Sequence, residues 1–195
     1  MSNSPFRLKF YHPRHDDKHI PALSLPLLTL CQSIIQTAHT LIIEDLSKNI
    51  WLGLIDTFKL YGGNLKHITL EASGELEPFY SSKGILTTIS MSSPHLECLR
   101  LDGMSGGGDH STELLVQHCP KLRAITIDYC YGLTMKSFVT LWNGLSDLEF
   151  IGFAGIIGPL PDEVSLQPRP KLHTIRFVDC DVSDSLVCFL LLLLQ

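Results

Sequence analysis

LRAITIDYC, Leu122 to Cys130, carries the pattern on which the fold turns. Leu122, Ile125 and Ile127 fill positions 1, 4 and 6 of a template Leu-x-x-Leu-x-Leu in which other apolar residues can stand for leucine. Five more stretches match it: Ala38-x-x-Leu41-x-Ile43, Leu65-x-x-Ile68-x-Leu70, Leu96-x-x-Leu99-x-Leu101, Leu148-x-x-Ile151-x-Phe153 and Leu172-x-x-Ile175-x-Phe177. Along the chain their first positions are 27, 31, 26, 26 and 24 residues apart. Positions 4 and 6 fall on one face of an extended strand, and positions 3, 5 and 7 on the other.

Helical spacing appears between the strands. Ser47 is placed to cap a helix carrying Ile50, Trp51, Leu54, Ile55 and Phe58 on one stripe. Thr134 is placed to cap another, with Met135, Phe138, Val139 and Trp142 at i, i+3, i+4 and i+7. Asp109 or Ser111 starts a third, with Leu114, Leu115 and His118, and Ser183 starts a last one, from Leu186 to Leu194. Leu27, Leu30, Cys31, Ile34 and Ile35 form an upstream stripe. That helix needs a strand before it, and Leu8-x-Phe10 fits positions 4 and 6 of a degenerate repeat near residues 5–13. Residues 73–95 are a long spacer with a helix around Ile85 to Met91, and Leu86-x-x-Ile89-x-Met91 is read as helix because Leu96 follows too closely. Pro159, Pro161, Pro168 and Pro170 predict a loop or a short turn of helix over residues 155–170.

Self-similarity at this period predicts an α/β leucine-rich-repeat solenoid. Its parallel sheet of six to seven strands lines the concave face of a horseshoe, with helices and loops on the convex face. Residues 1–37 form a leader holding the degenerate repeat and its helix, and residues 38–195 form one continuous repeat domain. Charged residues make up 18 % of the chain, below the roughly 25 % of average soluble domains, as expected when strand and helix share a core. A net charge of −5 supplies no attraction for nucleic acid or an anionic membrane. The apolar run Leu186 to Leu194 is far short of the ~20 residues of a membrane span and reads as a core helix. Its end at Gln195 without a polar cap suggests a truncated chain or a covered end. Met1 to Tyr11 holds no long apolar run, and six scattered cysteines without a Cys-x-x-Cys pair read as reduced thiols, so an intracellular setting, cytoplasmic or nuclear, is expected.

Cys130 and Cys180 both occupy position 9, in LRAITIDYC and LHTIRFVDC, and VQHCPKL, Val116 to Leu122, leads into one strand. This arrangement resembles the cysteine-containing, ribonuclease-inhibitor-like repeats of F-box proteins over roughly residues 38–195. The resemblance implies a substrate receptor of an SCF ubiquitin ligase, in which an F-box binds the adaptor and the repeats bind the substrate. No F-box-like segment precedes the repeats here, so the expectation is a receptor whose F-box lies elsewhere, or a relative without one.

The function expected is therefore non-catalytic protein–protein interaction, with no cofactor. Positions 3, 5 and 7 supply the candidate partner-binding residues Glu44, His67, Glu71, Arg100, Asp102, Asp128, Phe150 and Arg176. Glu44, Glu71, Asp102 and Asp128 repeat at position 7, and strands ~4.8 Å apart would align them in a row. The row reads either as a dock for a basic peptide segment, or as turn caps and local pairs with Arg100 or Lys66. Beyond it Ala154 and Val178 replace the acids, and Phe150 is the candidate anchor of a more apolar end. Two other readings compete. One is a metal-binding or enzymatic protein using the histidine-rich leader, where His12, His15 and His19 with Asp16 and Asp17 offer metal-ligand chemistry, though in no closed-site spacing. Gly106-Gly107-Gly108 lacks the Lys-Ser/Thr of a phosphate loop, and the adjacent Asp109, His110 and Ser111 read as helix-start residues rather than a triad. The other is a truncated repeat fragment with no independent role.

Overall fold

The computed structural model describes residues 6–9, 25–46, 48–72, 84–104, 107–156, 158, 165–182, 186 and 190. Among these, strands and helices alternate: β1 (Phe6–Lys9), α1 (Leu25–Thr37), β2 (Thr40–Leu46), α2 (Lys48–Tyr61), β3 (His67–Ala72) and α3 (Ile85–Ser92). Then come β4 (Cys98–Asp102), α4 (His110–His118), β5 (Ala124–Asp128), α5 (Met135–Gly144), β6 (Phe150–Ala154) and β7 (Thr174–Val178). The seven strands form one sheet in sequential order, β1 to β7, and every pairing is parallel. Template positions align: His67, Cys98, Ala124, Phe150 and Thr174, all position 3, stand in one row across the sheet.

Positions 4 and 6 from β2 to β6 are at most 2 % exposed and share one core with the helices. Trp51 and Phe58, seven residues apart, lie on one helix face with ring centroids 5.3 Å apart. Phe138 of α5 meets Phe153 of β6 at 6.1 Å and Phe177 of β7 at 5.3 Å, so one ring joins two strands to their helix layer. Thr134 adopts extended backbone and accepts the Lys136 N–H at 3.1 Å, which caps α5. Leu186 and Leu190, one helical turn apart, are helical and buried. Ser47 and Ser183 lie outside the described residues. Among those that are described, no helix is long and apolar enough to cross a membrane.

Two expectations need correction. In β1, Phe6 and Leu8 pair with Leu41 and Ile43, so they hold positions 4 and 6 instead of Leu8 and Phe10. A shift of two residues keeps the same strand face, so alternation alone could not distinguish the registers. On α1, Leu30 is 53 % exposed and Leu28 packs against the core in its place. Cys31 and Ile35, four apart, centre the buried stripe one position away from Leu30.

Backbone bonding outside the strands also repeats. Each position-2 carbonyl accepts two N–H groups from the next unit, as His39 does from Lys66 (2.8 Å) and His67 (3.1 Å). Glu149 does the same for His173 and Thr174. In the sixth unit no described residue is helical after β6, and an extended segment packs against the end of α5 instead. Trp142 Nε1 donates to the Gln167 carbonyl (2.7 Å), Asn143 Nδ2 to the Ser165 carbonyl (2.9 Å), and the Arg169 guanidinium to the Trp142 and Asn143 carbonyls. The arginine thus satisfies carbonyls that a helix end leaves without intrahelical partners.

Asp109 stands at the start of α4, as expected, but its side chain acts one unit further along. Its carboxylate makes no cap bond within α4. It accepts from the Thr134 N–H (2.9 Å), Thr134 Oγ1 (2.8 Å) and Ser137 Oγ at the start of α5. Burial pushes this carboxyl up, but the bonds from Ser137 and Thr134 and the charge of Lys136 outweigh it and hold it below the usual carboxylate range. A depressed folded value means the stabilisation is complete above the unfolded value near pH ~4 and is lost as pH falls through the folded one. Asp109→Ala is expected to lower stability at pH 7 by about 1–3 kcal/mol in urea unfolding. Asp109→Asn should lose less and should flatten the acid limb of the stability profile.

Candidate functional site: the open face of the sheet

Helices pack on the face of positions 4 and 6, which leaves positions 3, 5 and 7 as the open face. His67, Glu71 and Arg100 are exposed, while Glu44, Asp102, Phe150 and Arg176 are half-buried and Asp128 is buried. Glu71, Asp102 and Asp128 stand side by side on β3, β4 and β5. The structure therefore aligns these three acids.

Their charges are largely engaged within the fold. Glu44 lies 3.6 Å from Arg7 and 3.5 Å from Lys9, both supplied by β1. Asp102 lies 3.6 Å from Arg100 on its own strand. Asp128 accepts a 2.8 Å bond from Arg176 Nη1, two strands away. Among the described residues Glu71 is the member of the row without an ion pair. Lys66 does not serve the row; it pairs at 2.9 Å with Glu97.

The Asp128–Arg176 contact is possible because β6 carries Gly152 and Ala154 between them. A Cβ on Gly152 would meet the Phe150 ring at 3.0 Å and Arg176 Cβ at 3.6 Å. Phe150 thus lies down on Gly152 along its own strand rather than standing out from the sheet. The end of the face beyond the acids is crossed by an ion pair, where the sequence suggested an apolar patch. At position 3, His67 Nδ1 lies 3.1 Å from Thr40 Oγ1, a short contact between neighbouring strands. Cys98 is half-buried there, and burial followed by the charge of Glu97 pushes its thiol up, against a reactive thiolate.

Two further rows were missed in the sequence. Position 2 alternates in sign, Lys66, Glu97, Arg123, Glu149, and in-register pairing turns alternation into bonds. Arg123 Nε donates to Glu149 at 2.9 Å, as Lys66 does to Glu97. Position 8 is left-handed in five units: Asp45 (φ 57°), Gly103 (69°), Tyr129 (49°), Gly155 (65°) and Asp179 (51°). Gly and Asp tolerate this region and were its signal; Tyr129 does not and gave none. From there, N–H groups continue the ladder: Gly103 to Asp128 O (2.9 Å), Tyr129 to Ala154 O (2.8 Å) and Gly155 to Val178 O (2.9 Å). Tyr129 extends over Gly155, where a Cβ would sit 2.5 Å from its ring, and its hydroxyl donates to Asp179 at 2.6 Å.

The histidines and aspartates at 12–19 lie outside the described residues, and among the described ones no group of three ligands is placed to hold a metal. His110 bonds Glu113 at 2.9 Å and Ser111 Oγ is 3.0 Å from Thr87 Oγ1, so with Asp109 at α5 the three adjacent residues face different partners. No protein-family model matches the chain, and no curated protein matches it in sequence.

Arg176→Met removes the cation and leaves Asp128 buried without its charged partner. The cost is expected to be about 1–3 kcal/mol by urea unfolding, and Asp128→Asn in the same background should recover part of it. Gly155→Ala should destabilise by a similar amount, since it places a methyl inside the Tyr129 ring contact at a left-handed residue.

Proposed function

We propose that the chain is a leucine-rich-repeat solenoid that binds a protein partner through the open, concave face of its sheet. The observation that carries this reading is the seven-stranded, sequentially ordered parallel sheet with one face left to positions 3, 5 and 7. A row architecture of this kind offers a broad, preformed surface of rigid side chains. The face mixes exposed polar and charged groups at His67, Glu71 and Arg100 with the half-buried ring of Phe150, a composition suited to a polar protein surface. The cysteine-bearing repeats further support substrate recognition of the F-box type, by a receptor or by a relative without the F-box.

Affinity capture with the folded chain, followed by hydrogen-exchange footprinting of the complex, tests both levels. The expected footprint covers β3 to β6 and spares α2 to α5; protection confined to the helices would reject the concave-face reading. Co-capture of an SCF adaptor would support a receptor role. Glu71→Lys together with Arg100→Glu should weaken a partner bound on this face at least tenfold, read by titration calorimetry.

A further inference from the structure

The turns at the C-terminal ends of the strands carry a charge imbalance that the face itself does not. Positions 7 to 10 from Ala38 onward hold Glu44, Asp45, Glu71, Asp102, Asp128, Asp179 and Asp181, and no lysine or arginine. Toward β1 these acids meet cations, Glu71 apart: Glu44 and Asp45 have Lys9, at 3.5 and 3.7 Å. Asp102 has Arg100, and Asp128 has Arg176. Toward β7 they do not. Among the described residues Asp179 accepts the Tyr129 hydroxyl, and neither Asp179 nor Asp181 has an ion pair. Tyr129, which bonds Asp179, is 48 % exposed, and Tyr131, two residues further on, is 55 % exposed.

We propose that this lip of Tyr129, Tyr131, Asp179 and Asp181 seats an arginine-bearing segment of the protein partner. The proposal rests on the partner-binding reading above and names the chemistry that the surface would select. The Tyr129 ring approaches Gly155 with Cγ, Cδ1 and Cε1, and about half of the side chain stays open to solvent. Donation of its hydroxyl to a carboxylate enriches the ring in electrons, which strengthens its attraction for a cation. A guanidinium can stack on such a ring and also present paired N–H groups to a carboxylate, which an ammonium cannot do. The lip is held by the backbone: the Tyr131 amide donates to Met104 O at 2.8 Å, and Tyr129 N–H and Gly155 N–H extend the strand ladder. Little ordering is therefore left for binding to impose. Tyr131 and Asp181 hold the same template position two strands apart, about 10 Å by strand spacing. Two arginines separated by one residue stand about 7 Å apart in an extended peptide, and their long side chains can span the remainder to both ends.

The probe is a short fluorescent peptide with the core Arg-Gly-Arg, flanked by glycine and serine, titrated into the folded full chain by fluorescence anisotropy. The expected result is saturable binding that weakens as salt rises, weaker binding of the Lys-Gly-Lys analogue and none of Glu-Gly-Glu. Tyr131→Ala and Asp181→Asn should each weaken the Arg-Gly-Arg peptide about threefold or more, while Glu113→Gln, which removes the same charge from the helical side, should leave binding unchanged. Thermal melts of each variant confirm that it folds. Absence of binding to the folded chain, or equal weakening by Glu113→Gln, would overturn the proposal. Failure here with a captured partner still protecting β3 to β6 removes the lip alone. Partner protection confined to the helices removes the open-face reading as well.

Discussion

Parallel strands in template register force every template position to meet its own copies. A residue type that is harmless once becomes a row when repeated, with neighbours about 4.8 Å away. Apolar residues at positions 4 and 6 benefit, because the row is a continuous core. Charged residues do not, because like charges on neighbouring strands repel. The chain meets this constraint differently in each row. Position 2 alternates in sign, so stacking becomes attraction along Lys66, Glu97, Arg123 and Glu149. Position 7 keeps one sign, and three of its four acids draw cations from β1, from position 5 of the same strand, and from two strands away.

The same constraint explains why so much of the architecture could be read from residues alone. The apolar positions, the strand order, the helix around Ile85 to Met91 and the Thr134 cap depend on local spacing, which a sequence displays. The phase of β1 was misread because strand periodicity repeats every two residues, and Leu8-x-Phe10 and Phe6-x-Leu8 look alike to it. The Leu30 error has the same origin on a helix, where a broad apolar stripe does not mark its own centre.

The face was less legible, for a different reason. Which charges remain available depends on contacts between residues far apart in sequence. Arg176 and Asp128 are separated by 48 positions, and their bond requires that Gly152 and Ala154 leave a clear path. Asp109 is a plausible cap for its own helix, yet the carboxylate lies closer to the start of the next one. The row of acids was visible, and so was Arg100 as one cation that answers it; Arg7, Lys9 and Arg176 were not. The fold followed from what repeats; the state of the surface follows from where single residues break the repetition.

Arg176–Asp128 and Tyr129–Asp179 share one property: each links the fifth unit to the seventh and passes over the sixth. In a stack where each unit touches only its neighbours, the end unit can detach alone. Here β7 cannot leave without surrendering contacts made on β5, and β6 is clasped beneath both. Second-neighbour coupling of this kind raises cooperativity locally. It turns the last three strands into a single unfolding block, in the part of the molecule where the described chain has no helix between β6 and β7. Across β6, side chains that reach from β5 to β7 supply a link that the described helices supply between the earlier strands.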